Sequence, residues 1–444
     1  MVMNMKRKIM EDLKKWKEEQ SKMPYMLVGA RQVGKTYILD NFCKDNYKKY
    51  VYINLEKEDN IREIFENSLD PERIISSIAI IKGKRIVPEE TIVFLDEIQI
   101  SERAITALKY FNESEVRYHI ACAGSLLGVA LNRFKSSFPV GKVHRKYLYS
   151  MDFEEFLWAL GEEMLTEEIR EGFKKDRALM EPIHEKAMNI YRDYLFVGGM
   201  PASVLEYIKN KKDLSRYDRI IKKNIIGDYI ADMTKYTTNA ENIRINEVYK
   251  SIPKQLGRDN NKFSYTLVDE KGNKRMYETS IEWLINSNLV NKCVLVKTPQ
   301  IPLTAYEEDN YFKIYLNDVG LLTELSNMTP YDIVSESSNL YRGMLTENYV
   351  AQTLASGELG LNYWRSSNVA EIDFVLSIQG TVIPIEVKSA TNTKSKSLNV
   401  YKDKYKPKYA IKISGKNFGF VNGIKSVPLY AAYMIKEIDK FGTV

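Results

Sequence analysis

Residues Gly29–Thr36 read GARQVGKT, set between the short apolar run YMLVG and a helical pattern through Tyr37, Ile38, Leu39 and Phe42. Gly29, Gly34, Lys35 and Thr36 fill every fixed position of G-x-x-x-x-G-K-[ST], in the strand-to-helix setting that this phosphate-cradling loop requires. The chemistry follows from the residue types. Backbone amides of Gly29, Ala30, Arg31, Gln32, Val33 and Gly34 at the helix start attract anionic oxygens, Lys35 adds a point charge for the β and γ phosphates, and the Thr36 hydroxyl suits Mg²⁺. The loop therefore predicts ATP as ligand and an α/β fold.

A second run, TIVFLDEIQ from Thr91 to Gln99, follows at a distance in keeping with this class of fold. Ile92–Leu95 has no polar alternation, which is the pattern of a parallel strand covered by helices on both faces. Asp96 then falls at the carboxyl end of the sheet, where Mg²⁺ is held, and Glu97 is placed to polarise an attacking water. The pair of acids argues for hydrolysis, with a helix N-cap as the structural alternative. KYVYINLE (Lys49–Glu56) and YHIACAGS (Tyr118–Ser125) read as further buried strands of a doubly wound sheet.

The chain has 444 residues, enough for about three domains. Hydrophobic residues make up 44% and charged residues 28%, so folding is expected throughout. The formal charge of +6 is mild, and attraction to nucleic acid must come from local clustering such as Lys394, Lys396, Lys402, Lys404, Lys406 and Lys408; a solvated face explains such a run as well. Three dispersed cysteines and three histidines indicate neither a disulfide framework nor a zinc site, leaving oxygen-bound Mg²⁺ or Mn²⁺ as the expected metal. The basic N-terminus has no apolar run of signal-peptide type, and no stretch reaches the length of a membrane span, so a cytoplasmic protein is expected.

The set GARQVGKT, TIVFLDEIQ and ACAGSLL resembles the AAA+ ATPases, and more narrowly the bacterial and archaeal two-part ATPases that join this module to a C-terminal domain of uncertain role. The resemblance makes Ser125 a sensor of the γ-phosphate; by sequence alone Ser125 is equally a helix cap. FPVGKVHRKYLYSMDFEEFLWALG (Phe138–Gly161) resembles the family's Gly-Arg pair followed by a strand and an acidic-aromatic helix, but this chain has Gly141 and Lys142, and Lys lacks the planar fork of an arginine finger. Arg133 and Arg145 are nearby substitutes. The resemblance also implies association of several copies.

From Asp152 to Tyr236 the pattern is helical, interrupted by VGGMP at Val197–Pro201, where the family begins a helical lid and where a plain interhelical turn serves as well. IRINEVYKSIPKQLG, YETSIEWLINSNLV and NKCVLVK then resemble a winged helix. Such a fold reads DNA through one helix, but Glu278 and Glu282 on the candidate helix repel phosphate, which favours a protein partner.

The C-terminal part begins with YRGMLTENYVAQTLA, carrying Glu347, and runs into EIDFVLSIQGTVIPIEVK (Glu371–Lys388), two apolar strands joined at Gln379 and Gly380. Alternation puts Ile383, Ile385 and Val387 on one face and Glu386 and Lys388 on the other. Buried charges need partners, so the residues alone allow a structural ion pair or a metal-binding corner. Glu on a helix, Asp on a strand and Glu-x-Lys on the next resemble the restriction-endonuclease-like fold with its PD-(D/E)XK motif, with Ile372 in place of the proline. The resemblance makes Asp373 and Glu386 ligands of one or two divalent ions, Lys388 the group that orients or deprotonates water, and Glu347 an accessory acid.

The expectation is an AAA+ P-loop ATPase domain at 1–150, a helical lid region at 151–240, a winged-helix-like region at 241–335 and a restriction-endonuclease-like domain at 336–444. Lys35 and Glu97 would carry ATP hydrolysis, Thr36 and Asp96 would hold Mg²⁺, and the nucleotide state would control a domain acting on DNA or RNA through Asp373, Glu386 and Lys388. The alternative is a non-nucleolytic switch that binds a protein partner.

Overall fold

The computed structural model describes residues 5–19, 23–125, 139–235, 237–258, 261–334, 339–366, 370–390 and 396–440. Leu126, Leu127, Arg133, Tyr236 and Lys394, named above, lie outside them. The chain forms two compact units, the first Met1–Tyr149 with Asn286–Asn288 and the second Ser150–Ile285 with Leu289–Val444.

In the first unit α1 (Ile9–Glu18) precedes β1 (Tyr25–Val28), α2 (Lys35–Asn46), β2 (Lys49–Asn54), α3 (Asp59–Asn67), α4 (Pro71–Lys82), β3 (Thr91–Asp96), α5 (Glu102–Glu113), β4 (His119–Gly124) and β5 (His144–Tyr147). The strands lie in the order β2-β3-β4-β1-β5, all parallel. As the uninterrupted apolar runs imply, every residue of β1, β3 and β4 is buried. Val51, Val93, Leu95 and Ile120 pack with Phe65, Ile74, Leu108 and Phe111 from the helices. Local chemistry fixes the helix ends: Asp70 caps α4 through the Arg73 amide with Pro71 in the first turn, and Gly83 closes it in the left-handed region at φ 60°.

The second unit begins with α6 (Phe153–Ala159), α7 (Glu163–Lys175), α8 (Glu181–Val197), α9 (Pro201–Lys209), α10 (Ile220–Lys235), α11 (Asn239–Leu256) and α12 (Lys274–Asn286). Asp152 with Glu155 and Thr238 with Glu241 form capping boxes at the starts of α6 and α11. Next come β6 (Val290–Val296), β7 (Glu307–Leu316), α13 (Val319–Leu325), α14 (Pro330–Val334), α15 (Asn339–Ser356), β8 (Asn362–Arg365), β9 (Glu371–Ile378), β10 (Thr381–Val387), α16 (Lys396–Tyr405), β11 (Ala410–Ser414), β12 (Gly419–Val421) and β13 (Ile424–Pro428). They build one mixed sheet in the order β12-β13-β11-β10-β9-β8-β6-β7. The strand expected at NKCVLVK is β6, and it continues the C-terminal sheet: β6 pairs with β7 antiparallel and with β8 in parallel. Ile281, Trp283, Leu284 and Leu289 of that region are buried, as their apolar spacing implies.

The hairpin β9–β10 has Ile378 opposite Thr381, with Gln379 at φ 47° and Gly380 at φ 72°. Both turn residues are left-handed, the twist that matches the right-handed twist of the flanking strands. One face of the sheet packs Trp364, Ile372 and Val375 against Leu398 and Tyr401 of α16.

The VGGMP segment joins α8 to α9. The Gly199 amide donates to Asp318 Oδ2 at 2.7 Å, and its carbonyl accepts from the Met151 amide at 2.7 Å. A Cβ at Gly199 would lie 2.0 Å from the Met151 carbonyl oxygen. Gly199→Ala is expected to destabilise the protein by about 1–3 kcal/mol through overpacking. Gly227→Ala, inside α10 where an added Cβ meets nothing within 4 Å, should instead stabilise it by up to about 1 kcal/mol. Urea unfolding of the two variants checks both signs.

Candidate functional site

β1 delivers the chain to Gly29, whose added Cβ would sit 2.2 Å from the Leu148 carbonyl oxygen, with φ at +151°. Only glycine fits a backbone approach this close. Gln32 at φ 64° and Gly34 at φ 97° complete the curl of the loop before α2. Arg7, buried, braces it: Nη1 donates to the Val33 carbonyl at 3.0 Å and Nη2 to Tyr149 O at 2.7 Å. Lys35 is buried and donates across the loop to Gly29 O at 3.0 Å and Ala30 O at 2.7 Å. Main-chain carbonyls bind an ammonium less strongly than phosphate oxygens do, so Lys35 can exchange these partners for an anion. A cavity of about 600 Å³ lies between α1 and α2, lined among others by Arg7, Met10, Tyr37, Ile38 and Asn41.

At the end of β3, Asp96 Oδ1 accepts from Thr36 Oγ1 at 3.1 Å and Oδ2 from Tyr52 Oη at 2.9 Å. Burial pushes this carboxyl up, the Tyr52 hydroxyl opposes the shift and Glu97 adds to it. A buried acid beside a hydroxyl is a fitting pair for a hard cation. Glu97 turns into the left-handed region at φ 54°. Its Oε2 accepts from Gln99 Nε2 at 2.5 Å, and the same amide nitrogen lies 3.5 Å from Ser125 Oγ. Ser125 and Glu97 are therefore joined through one buried glutamine. Gly124 keeps room for it, since a Cβ there would lie 3.0 Å from Gln99 Oε1.

Lys142 pairs with Glu113 at 3.1 Å on the surface, and the Arg145 guanidinium lies 5.5 Å from the centre of the Tyr147 ring.

In the second unit, the residue pair one step beyond the last β9–β10 partners, Phe374 and Ile385, is Asp373 and Glu386. Asp373 Oδ2 accepts from the Val387 amide at 2.7 Å, and Lys388 Nζ meets Glu386 Oε1 at 2.7 Å. Glu386 is 2% exposed, and its Oε2 has no hydrogen-bond partner among the described residues. Glu347 stands differently. Its Oε1 accepts from Lys313 Nζ at 2.9 Å and Tyr315 Oη at 2.5 Å, and its Oε2 from Asn261 Nδ2 at 2.7 Å. Lys313 also reaches Glu371 Oε1 at 2.7 Å.

Glu347, expected as an accessory acid beside Asp373 and Glu386, is paired with the Lys313 ammonium, and among the described residues no group of three or more His, Cys, Asp and Glu side chains is arranged to hold a metal ion. Sequence reading passed over Lys313, Tyr315, Asn261 and Glu371, as it did Arg7, Tyr52 and Gln99. One signal was present: Lys313 is a lone charge in the apolar run YFKIYL.

Residues 21–157 match a family model described as an AAA domain. Residues 188–332 match a domain of unknown function, DUF8612, and residues 342–432 another, DUF4143. No curated protein matches the chain. Among solved structures it is similar to the Walker-type ATPase PABY2304 of Pyrococcus abyssi, at 17% identity over 73% of this chain and 96% of that one, with a TM-score of 0.44. It is also similar to the ORC2 protein of Aeropyrum pernix, at 11% identity over 78% and 96% of the two chains and a TM-score of 0.36. Residues 21–157 thus form an AAA-type P-loop ATPase domain, built on the parallel sheet described above.

Burial, then the neighbouring Glu347 and Glu386, push the Asp373 carboxyl up to about 8, against the pull of Lys313 and Lys388. The folded protein then keeps a proton that the unfolded chain releases near 3.8, so this group costs stability progressively as pH rises from about 4 through about 8. In EDTA, the loss of stability between pH 5 and pH 8 is expected to be smaller in Asp373→Asn than in the parent. Equal losses in urea unfolding would remove Asp373 as the source.

Proposed function

We propose that the chain binds and hydrolyses ATP through its first unit, and that the nucleotide state controls the second unit, which acts on DNA or RNA. The observation that carries the first half is the convergence of Thr36, Asp96, Glu97, Gln99 and Ser125 on the loop that Lys35 spans. Lys35 exchanges the Gly29 and Ala30 carbonyls for the β and γ phosphates, and the amides of residues 29–34 hold the remaining oxygens. Thr36 and Asp96 would hold Mg²⁺, which when bound neutralises charge on the transferred phosphate. Glu97 orients and polarises the attacking water. Ser125 senses the γ-phosphate, and Gln99 carries its position to Glu97. The cavity lined by Arg7, Tyr37 and Ile38 is of a size for the base and sugar.

For the second unit, the restriction-endonuclease-like reading rests on the hairpin that brings Asp373 and Glu386 together with Lys388. The unpartnered buried oxygen of Glu386 fits a divalent ion, Mg²⁺ or Mn²⁺, whose charge offsets the cost of adjacent carboxylates. Lys388 then positions a water for attack on a phosphodiester. The division into ATPase (1–150), helical (151–240), winged-helix-like (241–335) and nuclease-like (336–444) parts belongs to this reading, as do DNA or RNA as partner and association of several copies. Among the described residues no helix is long and apolar enough to cross a membrane.

One observation favours the second reading, a switch that engages a protein partner without cutting nucleic acid: Lys313 removes Glu347 from the acids available for metal chemistry. The two readings separate in one assay. Glu97→Gln is expected to retain nucleotide binding while its turnover falls by about 100-fold or more. With Mg²⁺ or Mn²⁺ the parent is expected to cut plasmid, single-stranded DNA or RNA, and Asp373→Ala to abolish the cut. Undiminished turnover in Glu97→Gln would remove Glu97 from its role, and failure to cut any of the three under either metal would leave the switch.

A further inference from the structure

One guanidinium holds two carbonyls that lie far apart in the chain. Arg7 Nη1 donates to the Val33 carbonyl, inside the phosphate loop, at 3.0 Å, and Nη2 donates to the Tyr149 carbonyl at 2.7 Å. Tyr149 ends the long stretch of the first unit, and Ser150 begins the second. The Arg7 side chain is 5% exposed, and its planar fork serves both directions at once, which an ammonium does not reproduce. The Val33 carbonyl also belongs to the same peptide group as the Gly34 N–H, one of the amides expected to hold phosphate. Beyond Tyr149 the chain is fixed again almost at once. Ser150 Oγ donates to Asn317 O at 3.4 Å, the Met151 amide donates to Gly199 O at 2.7 Å, and the Met151 carbonyl accepts from Tyr194 Oη at 2.6 Å. A single residue thus separates the carbonyl that Arg7 holds from backbone anchored at the VGGMP segment.

We infer that Arg7 is a positioning residue that relays occupancy of the phosphate loop to the Tyr149–Ser150 peptide, where the chain passes from the first unit to the second. The inference rests on the proposed reading of the loop as an ATP site, and it names the link by which nucleotide state would reach the second unit. Hydrogen bonds in a chain polarise one another. When a phosphate oxygen draws on the Gly34 N–H, the Val33 carbonyl of that peptide becomes a stronger acceptor and takes a larger share of the guanidinium. The hold on Tyr149 then changes in step with the nucleotide. A purely structural brace would grip Tyr149 equally with the loop empty or filled.

The test is hydrogen exchange of the amides of residues 149–151 in the full chain, read by mass spectrometry with and without a non-hydrolysable ATP analogue and Mg²⁺. Saturation is checked by isothermal titration. In the parent, binding is expected to change the exchange rate of this segment by about threefold or more. In Arg7→Lys, which keeps the charge and loses the fork, the analogue is expected to bind with affinity reduced by no more than about tenfold and the change in exchange to disappear. A parent that binds the analogue without any change in this segment, or an undiminished change in saturated Arg7→Lys, would overturn the relay while leaving the ATP site in place. A parent that binds no analogue would overturn the ATP reading itself. Arg7→Gln provides the same comparison should Arg7→Lys fail to fold or to bind, and if both fail, the exchange of the parent alone decides.

Discussion

The Asp96 carboxylate is the constraint on which the first unit depends. It is buried at the carboxyl end of β3, where Thr36 from α2, Tyr52 from β2 and the Glu97 amide all donate to it. The Thr36 and Tyr52 bonds tie the phosphate-loop helix and the edge strand to β3, so the geometry of the loop and that of the sheet are set together. Burial raises the pKa of this carboxyl against the opposing pull of its hydrogen bonds. A desolvated carboxylate gains from a hard cation, which couples the fold to the chemistry expected of an ATPase domain.

The two units use lysine in opposite ways. Lys35 is held by two neutral carbonyls of its own loop, a bond that a phosphate can outcompete. Lys313 is held by two carboxylates and a closed shell of neighbours. The first has neutral loop carbonyls among its partners, and the second has carboxylates. This difference in first neighbours, more than any difference in burial, separates a ligand-binding lysine from a structural one.

Much of the first unit was legible in the sequence because its signals are local. The loop signature occupies eight consecutive residues, and the apolar runs of β1, β3 and β4 announce strands buried on both faces. The hairpin turn at Gln379 and Gly380 was legible for the same reason. Long-range pairings were not. Lys313 meets Glu347 and Glu371 from 34 and 58 residues away, and nothing near Lys313 tells a reader which acids it will meet. Nor does the sequence announce that β6 pairs with β8 across the intervening β7 and helices. The winged-helix-like pattern was therefore read as a region by itself, where the structure continues the C-terminal sheet through it. Gln99 escaped for a subtler reason: a glutamine after two acids looks like ordinary surface until Ser125 is brought beside it by the pairing of β3 with β4.

The account's central claim is that the loop of residues 29–36 grips a nucleoside triphosphate with Lys35. Isothermal titration of ATP with Mg²⁺ into the full chain tests it most directly. The account predicts saturable heat from one site per chain, absent in Lys35→Ala. Titration without heat in the parent, or with the same affinity in Lys35→Ala, would contradict it.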